Sequence, residues 1–293
     1  MSRLHIAAGI LVLWLIGLGL LARRQTGKTD SERLAEATRR LYPETYYYAV
    51  TRGDTTIGAA SSAIDTAAGR LQVTSSFRGS EAQGELNGVA RSSVTYLSRR
   101  FVLDSVSLAV NGGVNRKDVG GRVMQNRAKL SLFRVRHSAT ASPILTPKLL
   151  PVALMLSGDP KVGRSAVYWM YSPAGGKISR VTLRVAAESL FTVTDSAIHD
   201  PAIGWIPAHT DTVRAWSIVA TGVNGRVASL GGEVMLEWIG VNLAEPGISV
   251  WVDAQGSIVS ASKPGGVRLV RTTYEIAYRG HSKTSPASQV NGR

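Results

Sequence analysis

The segment "VWVDAQGSIVSAS", Val250–Ser262, contains the pattern that determines the fold of most of this chain. Two β-rich runs flank Asp253-Ala254-Gln255-Gly256, a tight hairpin turn in which Gly256 is free to adopt a positive φ angle. Similar runs recur on the amino-terminal side of this segment, and they predict further strands. Examples are "GRLQVTSSF" (69–77), "SVSLAV" (105–110), "ISRVTLRVA" (178–186), "SLFTVT" (189–194) and "VRAWSIVA" (213–220). The sequence therefore predicts a mainly β protein built on a large antiparallel sheet, shaped as a half-barrel or clam.

Two short helices are predicted among the strands. Thr29 and Glu32 are spaced as a capping box, and Pro43 ends the apolar periodicity that follows them. A second segment, "SPILTPKLLPVALML" (142–156), contains three prolines that exclude a central strand, and Thr146-Pro147 can open an apolar helix through Leu156. No repeat of fixed period is found, which disfavours a propeller or solenoid.

The amino terminus carries an apolar segment in which no residue from Ile6 to Ala22 is charged. Its length is at the short end of the range for a membrane-spanning helix. An Ala-x-Ala-like cleavage site is absent, and the run ends at Arg23-Arg24 instead. We interpret it as an uncleaved signal anchor, a single-pass membrane helix whose characteristic residues are Ile6, Leu11, Trp14, Leu18, Leu21, Arg23 and Arg24.

The orientation of the anchor is left open by two opposing arguments. The positive-inside tendency places the large domain in the cytoplasm, because more positive charge follows the apolar run than precedes it. A long β-rich domain behind an amino-terminal anchor is typical of exported proteins, and long domains translocate largely regardless of charge. We favour an inner-membrane protein whose main domain lies in the periplasm.

These features divide the chain into four parts. Residues 1–24 form the anchor, 25–43 a juxtamembrane helical linker, 44–280 the β-rich domain, with a sub-boundary near 137–160, and 281–293 a flexible tail. With 293 residues the chain is long enough for a large core. The absence of cysteine excludes disulfides, thiolate metal sites and a lipidated lipoprotein terminus.

The closing segment "VWVDAQGSIVSASKPGGVRLVRTTYEIA" (250–277), with the long strands and the proline-rich helical segment, resembles exported domains of the lipoprotein-carrier (LolA/LolB-like) type. This resemblance implies a half-open β-barrel or clam whose helices plug an apolar concavity. The residues expected to line or fill that concavity are Leu149, Leu150, Leu154 and Leu156. The chain departs from the lipid-linked members because it has no cysteine to acylate.

Catalytic motifs are scarce. The sequence contains no G-x-S-x-G, phosphate loop or H-E-x-x-H. The strongest candidate for a metal site is "HDPAIGWIPAHTD", which brings His199, Asp200, His209 and Asp211 into one stretch. Their spacing matches no standard ligand motif, and Pro201 and Pro207 favour a polar connecting loop. We therefore expect no enzyme activity, no bound metal and no cofactor.

Net charge gives the last constraint on partners. The 34 Lys and Arg residues against 20 Asp and Glu give a net charge of +14, and the excess is larger in the membrane-proximal half. Such a field favours anionic lipid or an acidic protein face, and no nucleic-acid recognition motif accompanies it.

Three functions follow from these observations. The first is a non-catalytic accessory subunit that stabilises a larger inner-membrane complex, similar to single-span subunits of respiratory or photosynthetic reaction-centre complexes. Its partners would be integral membrane subunits and membrane lipid. The second is a periplasmic carrier of lipid, lipoprotein or another apolar ligand, and the third is a metal-dependent enzyme.

Overall fold

The fold is known from a computed structural model that describes residues 10–20, 30–38, 41–67, 70–79, 90–98, 103–111, 144–172, 177–222 and 248–279. The helices are α1 (10–20), α2 (Asp30–Ala37) and α3 (Leu149–Leu156), and a π-helical turn covers Glu275–Arg279. The strands are β1 (Glu44–Arg52), β2 (Thr55–Ala67), β3 (Arg70–Gly79), β4 (Ala90–Ser98), β5 (Leu103–Asn111), β6 (Ile144–Leu145), β7 (Ser165–Ser172), β8 (Lys177–Asp200), β9 (Gly204–Gly222), β10 (Ser249–Val252), β11 (Ile258–Lys263) and β12 (Val267–Thr272).

All twelve strands belong to one sheet, in the order β5-β4-β3-β2-β1-β12-β11-β10-β9-β8-β7-β6. Neighbouring strands are antiparallel, except that the two-residue β6 runs parallel to β7. The predicted mainly β, antiparallel architecture is confirmed. The strands before and after the proline-rich segment are joined through β1 and β12, so both halves of the chain build the same sheet.

The sheet curls until its two ends approach each other. Leu103 at the start of β5 is buried against Tyr171 of β7 and Ile144 of β6, at the opposite end of the strand order. Strand alternation gives the curled sheet one buried face, as in β3, where Leu71, Val73, Ser75 and Phe77 are buried and the residues that alternate with them are not. That buried face lines the concave side and forms the main core.

Helix α3 fills the concave side of the sheet. Leu149, Leu150 and Leu154 are completely buried in the main core, and Leu156 is partly buried at its edge. The cavity left beside the helix holds about 20 Å³, which is room for about one water molecule. Within the described part of the chain, the four leucines are therefore packed against the sheet and line no open chamber.

Both ends of α3 are tied to the sheet by polar contacts. At the amino end, Lys148 donates hydrogen bonds to the Thr74 carbonyl and the Ser75 hydroxyl of β3. At the carboxyl end, Ser157 contacts the Tyr168 hydroxyl of β7 at 3.1 Å and accepts a bond from Arg164 at 2.7 Å. The helix is thus fixed across the concavity from one half of the sheet to the other.

Helix α2 covers α3. Leu34 is completely buried in the main core, and Thr38 and Leu41 are buried close behind it, on the face that the sequence predicts to be apolar. Helix α2 therefore packs on the β domain.

The predicted anchor is described only in part. Residues 10–20 form α1, and every one of them is exposed. Ile6, Leu21, Arg23, Arg24 and the tail 281–293 lie outside the described residues. Within the described part of the chain, no helix is both long enough and apolar enough to cross a membrane.

The hairpin turn between β10 and β11 lies close to the backbone of α3. Gly256 has φ +80°, and a Cβ atom placed on it would lie 2.3 Å from the Cα of Val152 and 2.5 Å from its backbone nitrogen. Contacts this short to backbone atoms cannot be relieved by a side-chain rotation. Gly256 is required at this position both for its dihedral angle and for the approach of the helix.

A buried ion pair stabilises the same turn. The carboxylate of Asp253 accepts bonds from the backbone N–H groups of Gln255 and Ser257 and from the Arg271 guanidinium at 2.7 Å. Arg271 also donates to the Ile258 carbonyl and lies over the Tyr46 ring, 4.1 Å from its centroid. Only 11% of each charged side chain is exposed.

The electrostatics of this cluster extend to the neighbouring tyrosines. Burial raises the pKa of Tyr48 well above its usual range, and the charges of Asp253 and Glu44 raise it further while Arg271 lowers it. Burial lowers the pKa of Arg271, but interactions with Tyr48 and Asp253 outweigh that effect and its pKa is raised. The cluster therefore favours a charged guanidinium beside neutral phenols.

We predict that Gly256→Ala is more destabilising than Gly265→Ala. Both glycines have a positive φ, but no atom lies within 4 Å of a Cβ on Gly265. Gly265→Ala should lower the free energy of unfolding by about 1–2 kcal/mol, because alanine is disfavoured in the left-handed conformation. Gly256→Ala should cost about 1–3 kcal/mol more for the overpacking against Val152. Denaturant unfolding of the two variants measures the difference, and equal losses would show that α3 does not press on this turn.

Removing the charge of Asp253 should destabilise the fold more than removing that of Glu188. Asp253→Asn leaves the buried Arg271 without its ionic partner, at a cost of about 3 kcal/mol. Glu188 pairs with Arg214 at 3.4 Å with both side chains well exposed, and Glu188→Gln should cost less than about 1 kcal/mol. Chemical unfolding at neutral pH tests this prediction, which is wrong if both variants lose the same stability.

Alkaline pH should destabilise the protein through Tyr48. Below pH 10 the phenol of Tyr48 is protonated in both the folded and the unfolded state. Above pH 10 the unfolded chain loses this proton, whereas the buried Tyr48 of the folded protein keeps it. The unfolded state then binds fewer protons, so stability falls with rising pH, by up to about 1.4 kcal/mol per pH unit for one group.

Tyr48→Phe should reduce this slope between pH 10 and 12, as measured by unfolding at several pH values. Tyr42→Phe provides the control, since the Tyr42 ring is 81% exposed. Identical slopes in the Tyr48 variant and the parent protein would contradict the assignment.

Candidate binding surface

The two longest strands form a hairpin that leaves the sheet. Strand β8 has 24 residues and β9 has 19, and they pair with each other from Val181–Gly222 to Asp200–Gly204. Strand β7 pairs with β8 only up to Arg184, and β10 pairs with β9 only at Trp216 and Ser217. Beyond the pair formed by Glu188 and Trp216, the hairpin continues as two strands alone among the described elements.

The base of this hairpin packs on the convex face of the sheet. Val193 of β8 and Ala215 of β9 are buried with Val259, whose position in a bulge of β11 turns it away from the main core. Phe191 meets Trp251 with ring centroids 5.1 Å apart. A second, smaller apolar cluster therefore holds the lower part of the hairpin against the outside of the sheet.

The outer part of the hairpin has no such support. We call residues 194–212 the ribbon, and none of them is buried. Within it Ile203 is 71% exposed and Ile198 is 56% exposed. An isolated two-stranded ribbon is marginally stable in water, so exposed isoleucines at its end are a costly feature without a partner.

The ribbon is acidic on an otherwise basic protein. It contains three aspartates and no lysine or arginine, whereas the whole chain has a net charge of +14. Asp200 caps the turn by accepting bonds from the backbone N–H groups of Ala202 and Ile203. Asp195 lies 2.8 Å from the Nδ1 atom of His209 on the opposite strand. The surface thus combines apolar tips with carboxylates along its sides.

The residues predicted as weak metal candidates are not brought together. His199 packs edge-to-face on Trp205, its cross-strand partner, with ring centroids 5.2 Å apart. Asp200 is engaged in the turn, and His209 pairs with Asp195. Asp211 lies farther along β9, opposite Val193. Across the described ranges, no group of three or more His, Cys, Asp or Glu side chains is placed to hold a metal ion.

The predicted polar loop over this stretch is wrong. Strand β8 runs to Asp200 and β9 resumes at Gly204, so the loop is a three-residue turn. Pro207 lies within β9, next to the register shift between Ser196 and Ala197. Proline is tolerated beside a bulge and on a strand that pairs on one side only, and both conditions hold for Pro207 among the described strands. No regular alternation of apolar and polar residues marks the ribbon, because Ile198 and Ile203 are five positions apart and Ile203 lies in the turn.

Comparison with known proteins identifies no family. No family model matches the chain, and no curated protein matches it. Among solved structures, the chain is similar to a β-barrel-like protein of a domain of unknown function (DUF1849) from Brucella abortus. The identity is 9% and the TM-score 0.39, and the match covers 79% of this chain and 96% of that one.

Proposed function

We propose that the chain is a non-catalytic accessory subunit that contacts a membrane protein complex through the ribbon. The observation that carries this proposal is the ribbon itself: nineteen successive residues, none buried, with Ile198 and Ile203 largely exposed. A partner that covers these side chains would remove apolar surface from water and support the two isolated strands. The aspartates beside them favour a partner face that carries lysine or arginine.

The amino-terminal sequence supports a location at the inner membrane. The uncharged run from Ile6 to Ala22 suits a single anchor, with the β domain in the periplasm. Helix α2 packs on α3, so the domain would be held close to the chain segment that follows the anchor. In this arrangement the ribbon would reach laterally or outward to neighbouring subunits.

The filled concavity favours an accessory role over a lipid or lipoprotein carrier. A carrier of the type that the sequence resembles needs an apolar chamber open to exchange. Here α3 occupies that space, fixed by Lys148, Ser157 and the Gly256 turn, and leaves about 20 Å³ beside it. The metal-dependent enzyme is less favoured still, because its candidate ligands are separated along the ribbon.

We predict that a photo-crosslinking residue at position 203 of the full-length protein, in its native membrane, forms one adduct of defined mass. The matched control is position 162, where Val162 is 56% exposed in the segment before β7. Adducts of similar identity and yield at both positions would indicate random collision and would contradict the proposal.

The combined substitutions Ile198→Ser and Ile203→Ser should weaken the complex. Loss of two apolar anchors should lower the affinity by about tenfold or more, measured as the fraction of the chain that migrates with the large complex after mild detergent extraction. Val162→Ser should leave that fraction unchanged. If the parent protein migrates alone, or the ribbon variant stays in the complex as well as the parent does, the ribbon is not the contact.

A further inference from the structure

A groove lies on the convex face of the sheet, beside the apolar cluster at the base of the β8–β9 hairpin. It lies above β10, β11 and β12, and its volume is about 370 Å³. This volume falls at the small end of the range for small-molecule sites, about 300–1,000 Å³. It is on the opposite side of the sheet from α3, and it is below the ribbon, so it belongs neither to the core nor to the proposed partner contact.

One wall of the groove is apolar. Phe191 and Trp251 meet there at 5.1 Å with their ring planes tilted by 54°, and their side chains are only partly buried. Val259 forms the buried base of the same cluster, and Val270 of β12 is 36% exposed at the side. The rings present a fixed apolar surface to anything that enters the groove.

The opposite lining is polar and carries a single charged side chain. Ser260 and Thr192 line the groove, and Ser249 and Ser262 form a hydroxyl pair at 2.8 Å. Arg268, on the outward side of β12, is the charged residue of the lining. Among the described residues it forms no salt bridge, in contrast to Arg271 on the inward side of the same strand.

This arrangement has the chemistry of a site for an amphipathic anion. A guanidinium binds a carboxylate with two parallel N–H···O bonds, and neighbouring hydroxyls can donate further bonds to its oxygens. The aromatic wall would take up an aliphatic or aromatic body of limited length. The groove is too small to accommodate a lipid surface, and its lining carries only one charged side chain.

We propose that this groove binds a small monocarboxylate with an apolar body, with Arg268 as the carboxylate-binding residue and Trp251 and Phe191 as the apolar wall. The groove is an independent site, and its occupation does not depend on the ribbon or on a partner complex.

The test uses 5-(4-fluorophenyl)valerate and its neutral primary amide as probes for the full-length protein. The ¹⁹F resonance of each probe broadens on binding, so the readout does not depend on the six tryptophans of the chain. We expect saturable binding of the acid to one site. The amide should bind at least about tenfold more weakly, because it cannot form the charged contact with Arg268.

Two variants and one control locate the probe. Arg268→Gln should weaken the acid about tenfold and leave the amide unchanged, whereas Ser260→Phe should fill the groove and abolish the binding of both. Arg184→Gln, an exposed arginine on β8 outside the groove, should bind the acid as the parent does. Circular dichroism confirms that each variant is folded.

Three outcomes would overturn the proposal. They are the absence of saturable acid binding at millimolar concentration, equal affinity for acid and amide, and acid binding that survives in folded Ser260→Phe protein. If Arg184→Gln lost as much affinity for the acid as Arg268→Gln does, the overall positive charge of the protein would explain the binding, and the proposal would again be wrong. A failed ribbon experiment has no bearing on any of these results.

Discussion

The close contact between Gly256 and the backbone of Val152 is the constraint on which the arrangement of this protein depends. It brings a helix against the inner face of a curled sheet at a separation that no other residue permits. Asp253 and Arg271 hold the turn in the required shape, and Lys148 and Ser157 hold the two ends of the helix. Because the helix fills the space, the two halves of the sheet pack on one core, although β5 and β6, the described strands at its two ends, do not pair with each other.

Predictions from sequence were correct where the structure favoured by a local pattern also suited the position of that segment in the fold. The turn at Gly256, the apolar helix after Thr146 and the alternation in β3 could all be predicted, because each depends on residues near in sequence. The pairing of β1 with β12 could not, since no local signal specifies a partner more than 200 residues away. The long hairpin was also missed, because bulges interrupt its alternation and a proline lies inside β9.

The same reasoning explains why the candidate residues were only partly useful. Leu149, Leu150 and Leu154, which the sequence suggested as residues of the concavity, are buried in the main core. His199 and His209 lie close in sequence. They belong to two extended strands, which hold their side chains apart, whereas a compact loop would have brought them together. Arg268 and Phe191 gave no signal at all, because the groove between them exists only where a bulged hairpin crosses the outside of the sheet. Sites formed by such crossings are set by tertiary geometry alone.

Because α3 occupies the concave side of the sheet, the proposed partner contact and the proposed ligand groove both lie on its outside. The β8–β9 hairpin has its base in an apolar cluster and its outer half in water, so the base fixes the direction in which the ribbon extends. Among the described strands, the two strands of the ribbon pair only with each other. A partner that binds the ordered ribbon, as proposed, would therefore stabilise it against local unfolding. The exposed isoleucines place apolar surface in water, and the proposed interface would remove that surface from water and so make the hairpin more favourable.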